Sequence, residues 1–160
     1  GVVLPPYRYI PGRSPHPNRD PKGHSYGLRE TPHPAWSRLG WQALPAYLEA
    51  VDLYNAAHWW ECHERLEGLW LAAGRTTPTA LFVQGVILIA AANLNSFVGK
   101  NAGPQAARGI KQLRAYQNEG GVSASMGIEV EAFSHEVERY FAGTRQSPAP
   151  LVLAIQAPPT

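Results

Sequence analysis

Proline is distributed unevenly along this chain, and its positions limit where helices and strands can form. Eight of the fifteen prolines lie in residues 1–34. Because proline lacks an amide hydrogen and fixes φ, a segment this rich in proline is neither a helix nor a central strand. The sequence therefore predicts an extended arm over residues 1–38, a folded body over residues 39–143, and a second proline-rich segment, a tail, over residues 144–160.

The arm also carries three of the six histidines of the chain. Disordered segments are usually poor in aromatic and apolar side chains, yet this one contains Tyr7, Tyr9, Ile10 and Tyr26. We therefore expect the arm to lie along the body.

The body shows helical periodicity, with apolar residues recurring at intervals of three and four. Pro45 and Pro78 suit the first turn of a helix, and Gly74 suits a helix end. No segment alternates in the way of a half-buried strand. The chain is therefore predicted to be all-α, a single compact bundle of about five helices over residues 45–54, 59–73, 78–98, 105–117 and 128–141.

Composition excludes several classes of protein. Hydrophobic residues make up 44% and charged residues 16% of the chain, which is not the signature of disorder. A net charge of +2 does not suggest a nucleic-acid partner or an anionic membrane. The most apolar run, residues 80–94, is shorter than the roughly 20 residues of a membrane span and predicts a core helix.

Cysteine usage bears on the expected location. Cys62 is the only cysteine, so no internal disulfide can form, and we expect it to be a buried and unreactive thiol. No basic segment followed by an apolar one resembles a secretory signal near the start. We therefore expect a cytoplasmic protein.

The segment HERLEGLW, residues 63–70, places polar side chains within an apolar helix. At 100° per residue, His63, Glu67 and Trp70 share the side that carries the core residues, whereas Glu61 points away and Glu64 is intermediate. His63 and Glu67 are one turn apart, within about 6 Å at Cβ. They are placed to share a ligand or to contact each other.

Two interpretations of this segment remain open. In the first, His63 is buried between tryptophans and bonds to Glu67 or Gln84, so that the network only fixes helix packing. In the second, His63 and Glu67 are metal or small-ligand ligands or an acid–base pair, by comparison with the zinc motif HExxH. A third ligand would then come from another histidine. The candidates are His24 and His33 on the arm, with His16 and His135 as further possibilities.

The second interpretation assigns roles to neighbouring residues. Glu64 is the candidate catalytic carboxylate, Gln84 orients the ligands, and Trp60 and Trp70 form walls. Glu61 and Asn55 support the pocket. If a metal is bound with an open position, zinc being the first guess, a metal-bound water would act in hydrolysis.

Two longer stretches resemble a known family. LYNAAHWWECHERLEGLW (53–70) and LFVQGVILIAAA (81–92) are similar to the bacterial and archaeal family of unknown function numbered 309, which is marked by HxxxExxW. His63, Glu67 and Trp70 match that motif. Asn55 and Glu61 match the residues that precede it, and Gln84 and Gly85 match a QG pair on the next helix. The resemblance covers about residues 47–118, together with an arm similar to an extension in one branch.

The resemblance implies a small all-helical domain whose motif is suspected of metal binding, with no established activity. In one respect the chain departs from the family, which often carries a basic residue or histidine and a GN pair after the third helix. Asn95 and Ser96 stand there instead, so a ligand or counter-charge from that helix is not expected.

The predicted function is therefore a metal- or small-ligand-binding protein, with metal-assisted hydrolysis as its generic reaction. The alternative is a non-catalytic helical interaction module in which His63 and Glu67 are structural and the arm or tail binds a protein partner. A homodimer is compatible with the abundance of tryptophan. Neither a membrane nor a nucleic acid is expected as a partner.

Overall fold

Five α-helices form the body of the protein within the part of the chain that the structure describes. The computed structural model describes residues 3–29, 31–117 and 124–154. The helices are α1 (Pro45–Asn55), α2 (Trp59–Ala72), α3 (Pro78–Phe97), α4 (Gly103–Tyr116) and α5 (Val130–Phe141). Each end lies within two residues of its predicted position. The prediction of an all-α bundle of about five helices is thus confirmed.

Helix α3 forms the centre of the bundle. The Thr77 side chain caps its first turn by accepting from the Ala80 amide, and Pro78 occupies the first position, where no amide hydrogen is needed. Helices α2 and α4 pack against it. Among the described helices, only α3 has the length and composition of a membrane span, and most of it is buried within the protein. It is the core helix that the apolar run predicts.

Two short elements were not predicted. A 3-10 helix, Arg38–Ala43, precedes α1. The strands β1 (Ala124–Ser125) and β2 (Ile128–Glu129) pair antiparallel, so the expectation that the body contains no strand is wrong for this segment. Met126 and Gly127 both have positive φ, as in the tight turns that join hairpin strands. Strands of two residues are too short to show alternation in a sequence.

The tail is anchored to α1 by polar contacts. The Asn55 amide donates to the Leu151 carbonyl and its oxygen accepts from the Leu151 amide, both at 2.8 Å. The Tyr54 hydroxyl donates to the Ala149 carbonyl and accepts from Asn93 on α3. Leu151 is buried on the body. The apolar residues at the start of this segment therefore pack on the body of their own chain; residues 155–160 lie outside the described residues.

Two glycines allow α3 and α4 to approach closely. A Cβ atom on Gly109 would lie 2.7 Å from the Gly85 carbonyl oxygen and 2.8 Å from an Ile89 side-chain carbon. A Cβ atom on Gly85 would lie 2.9 Å from the Gly109 carbonyl oxygen. Because real Cβ atoms do not come this near to backbone oxygens, both positions require the absence of a side chain. The close contact of α3 with α4 depends on this pair.

Replacement of Gly109 by alanine should therefore destabilise the fold. The added methyl group would separate α3 from α4, and we expect a loss of about 1–2 kcal/mol after allowing for the better helix propensity of alanine. Urea unfolding followed by circular dichroism measures the change. Gly103→Ala, on the same helix but with only ordinary contacts around its Cβ position, is the matched control. Equal stability of the two variants would contradict the close-packing argument.

Candidate metal centre

Three side chains of α2 come together on its surface. His63, Glu64 and Glu67 each offer one ligand atom, and these atoms lie within 4.8 Å of one another. His63 Nδ1 is 3.3 Å from Glu64 Oε1, and His63 Nε2 is 3.6 Å from Glu67 Oε2. Glu67 lies four positions after His63 and three after Glu64, the two spacings at which side chains of a helix meet on one face.

The cluster is only half-buried. The side chains of His63, Glu64 and Glu67 are 27%, 26% and 44% exposed. Cys62, Leu66 and Leu69 occupy the core-facing side of α2 and are fully or almost fully buried, so His63 and Glu67 lie at the edge of the core. The first interpretation placed these side chains in a buried network, and the structure has them partly exposed.

The two predicted wall tryptophans have different surroundings. The Trp60 ring contacts the Tyr9 and His16 rings of the arm, with centroids 5.4 and 5.5 Å away. The Trp70 ring is partly buried against the core, with the Arg75 guanidinium 5.8 Å from its centroid. Its Nε1 is buried and finds no hydrogen-bond acceptor within the described ranges. Trp60 thus contributes to the attachment of the arm.

Gln84 and Asn55 bind elsewhere in the bundle. The Gln84 side-chain oxygen accepts from Gln112 Nε2 at 2.9 Å, a bond between α3 and α4. Asn55 binds the backbone of the tail. The hydrogen bonds of the Gln84 and Asn55 side chains therefore connect one part of the fold to another.

Glu61 is buried beneath the arm. The helical projection placed it away from the core, but the residue is only 6% exposed. One carboxylate oxygen accepts from the Tyr9 amide at 2.9 Å and from His24 Nε2 at 2.8 Å. The expectation that Glu61 points to solvent is wrong because the arm covers this face of α2 and forms a second buried layer there.

The two arm histidines proposed as ligands take other places. The His24 ring bonds to Glu61, and the His33 ring packs against Gly68, where a Cβ atom would lie 2.7 Å from it. In the parts of the chain that the structure describes, no arm histidine joins His63, Glu64 and Glu67 in a possible metal-binding group. The third potential ligand is Glu64, which the sequence singled out as a carboxylate of the site but not as a ligand.

A cleft of about 780 Å³ separates the arm from α2. Polar side chains from both sides line it: His24, Ser25 and His33 from the arm, and Glu61, Glu64 and Arg65 from α2. Its volume is in the range of small-molecule sites. Because Glu64 belongs both to the cleft and to the His63 cluster, the two features adjoin.

Comparison with known proteins gives one match. Residues 47–114 match the family described as Domain of unknown function (DUF309). The match confirms the resemblance seen in the sequence, and it spans α1 to α4 up to Arg114, with the cluster inside it. No curated protein and no solved structure matched the chain. A match to a domain of unknown function supplies no activity, and the cluster and the cleft are the features of this fold that bear on function.

Removal of the Glu61 carboxylate should loosen the arm. Glu61→Ala leaves the Tyr9 amide and the His24 ring without their acceptor, and we expect a loss of about 1–3 kcal/mol. Trypsin should then cleave faster after Arg13, Arg19 and Lys22. Glu131→Ala, which removes a glutamate that is 68% exposed, should leave both stability and cleavage nearly unchanged. Identical cleavage rates in the two variants would show that Glu61 does not hold the arm.

Cys62 should not react in the folded protein. Its side chain is fully buried, and burial raises the pKa of the thiol far above its ordinary value, so almost no thiolate exists near neutral pH. Iodoacetamide at pH 8 should leave the native protein unmodified and should alkylate it fully in urea, as intact mass spectrometry would show. Rapid alkylation of the native protein would contradict this packing of α2.

Proposed function

We propose that this protein binds a divalent metal ion, with zinc the first candidate, through His63, Glu64 and Glu67. The observation that carries the proposal is the convergence of one imidazole and two carboxylates within 4.8 Å on one accessible helix face. This combination of nitrogen and oxygen donors is one that zinc accepts.

Small side-chain movements would complete the coordination. Zinc binds nitrogen and oxygen at about 2.0–2.2 Å, so neighbouring ligand atoms in a tetrahedral site lie about 3.3 Å apart. The present separations reach 4.8 Å, so the three partly exposed side chains would have to rotate by the remaining distance. Only one nitrogen of His63 would bind the ion, and the other would remain available for a hydrogen bond.

Three protein ligands would leave a fourth position for water. A bound zinc ion lowers the pKa of such a water to about 7 and so provides hydroxide at neutral pH. Glu64 lies at the boundary with the 780 Å³ cleft, which would hold a substrate next to the ion. Metal-assisted hydrolysis of a small molecule is the reaction that this arrangement supports best.

A second candidate function is that of a non-catalytic interaction module. It is favoured by the distances of His63 to Glu64 and Glu67, which are short enough for these side chains to contact one another directly. Ion pairs with this exposure contribute about 0–1 kcal/mol, so they give α2 little stability. The weak structural contribution expected of the cluster favours the metal proposal over this one.

Metal titration tests the proposal. After removal of bound metal with EDTA, calorimetry with zinc chloride should show one ion per chain. His63→Ala, Glu64→Ala and Glu67→Ala should each weaken binding at least about tenfold, or about 1.4 kcal/mol. His135→Ala, which removes an exposed histidine of α5, should bind as the unaltered protein does.

The stability of the same variants separates the two candidate functions. His63→Ala should change the free energy of unfolding by less than about 1 kcal/mol, because the ring is at the edge of the core. Zinc binding that is equal in His63→Ala and in the unaltered protein would refute the metal site. A loss of several kcal/mol without any zinc binding would support the structural role instead.

A further inference from the structure

Ser25, His24 and Glu61 form a continuous chain of hydrogen bonds beside the cleft. Ser25 Oγ lies 2.7 Å from His24 Nδ1, and His24 Nε2 lies 2.8 Å from Glu61 Oε2. A hydroxyl, an imidazole and a carboxylate in this order are the parts of an activated nucleophile. We propose that Ser25 is a nucleophile in an acyl-transfer reaction, with His24 as its base and Glu61 as the positioning residue.

The partners of the imidazole determine which nitrogen carries the proton. The Glu61 carboxylate only accepts, so Nε2 carries the hydrogen and donates it. In the neutral ring Nδ1 is then the lone-pair nitrogen and accepts from the Ser25 hydroxyl. This is the arrangement in which a serine proton moves to an imidazole during attack.

Burial holds the base and the carboxylate in place. The side chains of His24 and Glu61 are 4% and 5% exposed. The Tyr7 ring lies against the imidazole with centroids 4.8 Å apart, and the Tyr7 hydroxyl accepts from the His24 amide. The Tyr9 amide fixes the carboxylate. Rotation of the imidazole would break its bonds on both sides, so the ring is held in the orientation that a base requires.

Ser25 also lies at the cleft. It is partly buried and lines the cleft together with His24 and Glu61. The attachment of the arm explains why His24 and Glu61 are buried. It does not require that the second ring nitrogen of His24 contact the Ser25 hydroxyl at the wall of a cleft. That position is where a nucleophile would meet a small molecule.

The lining of the cleft indicates the class of substrate. Pro5, Leu28, Trp60 and Leu71 provide apolar surface within the same cleft. An ester of an apolar carboxylic acid fits this surface, with its carbonyl carbon at Ser25. Arg65 lines the cleft as well and is a cationic group on the wall opposite the arm.

The reaction would proceed in two balanced steps. Ser25 Oγ forms a bond to the carbonyl carbon while its proton passes to His24 Nδ1; the bond to the alcohol oxygen breaks, and the alcohol leaves with that proton. Water then attacks the acyl-serine, gives its proton to His24 and releases the acid, and the proton returns to Ser25. The ester and water are the only reactants, and neither an oxidant nor a metal is required.

A fluorophosphonate probe tests the proposal in the presence of EDTA, which keeps it separate from the metal site. The full chain should take up one probe, and peptide mapping should place it on Ser25. Ser25→Ala should abolish labelling. Ser37→Ala, which removes a more exposed serine of the arm, should label as the unaltered protein does. If the unaltered protein were labelled no faster than Ser25→Ala, the proposal would be overturned.

Two further variants test activation by the neighbouring groups. Glu61→Gln keeps the shape of the side chain but removes its charge, and it should slow labelling at least tenfold while circular dichroism stays unchanged. Ser25→Cys should react with iodoacetamide at least tenfold faster than glutathione does, because the proton of the new thiol can pass to His24. The buried Cys62 does not contribute to this reaction. A rate equal to that of glutathione, or equal labelling of Glu61→Gln, would show that the chain of hydrogen bonds only attaches the arm.

Discussion

Burial of α3 between α2 and α4 is the constraint on which the rest of the structure depends. Helices α3 and α4 approach closely because neither Gly85 nor Gly109 has a side chain that would separate their backbones. Cys62, Leu66 and Leu69 on α2 are buried in the core, which fixes the rotation of α2 about its axis. Once one side of α2 faces the core, the positions of its polar residues around the axis are determined. The places of Glu61 and of the His63 cluster on α2 therefore follow from core packing.

The buried carboxylate of Glu61 orders the arm over α2. A buried charge without partners is costly, and the arm supplies an amide hydrogen and an imidazole at distances below 3 Å. Glu61 also stands in the first turn of α2, where the helix dipole favours a negative charge. The proline-rich segment is thus ordered by a polar interaction as well as by aromatic contacts, although its composition alone resembles that of a flexible arm.

Local features of the sequence were sufficient to predict the five α-helices and the proximity of His63 to Glu67. Proline and glycine mark the helix ends, and the HERLE spacing brings His63, Glu64 and Glu67 together within a single helix. Contacts between distant segments were not predictable. Glu61 and His24 are 37 residues apart, and Asn55 finds its backbone partner 96 residues away. A helical projection treats the side opposite the core as solvent, so it cannot anticipate a second layer formed by the arm.

The two candidate sites share α2 but depend on different parts of the fold. The cluster of His63, Glu64 and Glu67 needs only an intact helix, because all its members lie within five consecutive residues. The relay of Ser25, His24 and Glu61 and the cleft beside it exist only while the arm is in place. Metal binding should therefore tolerate a loosened arm, whereas nucleophilic reactivity should not. Glu64 is the residue at which the two meet, since it belongs to the cluster and lines the cleft, so a molecule held under the arm would lie directly beside the proposed ion.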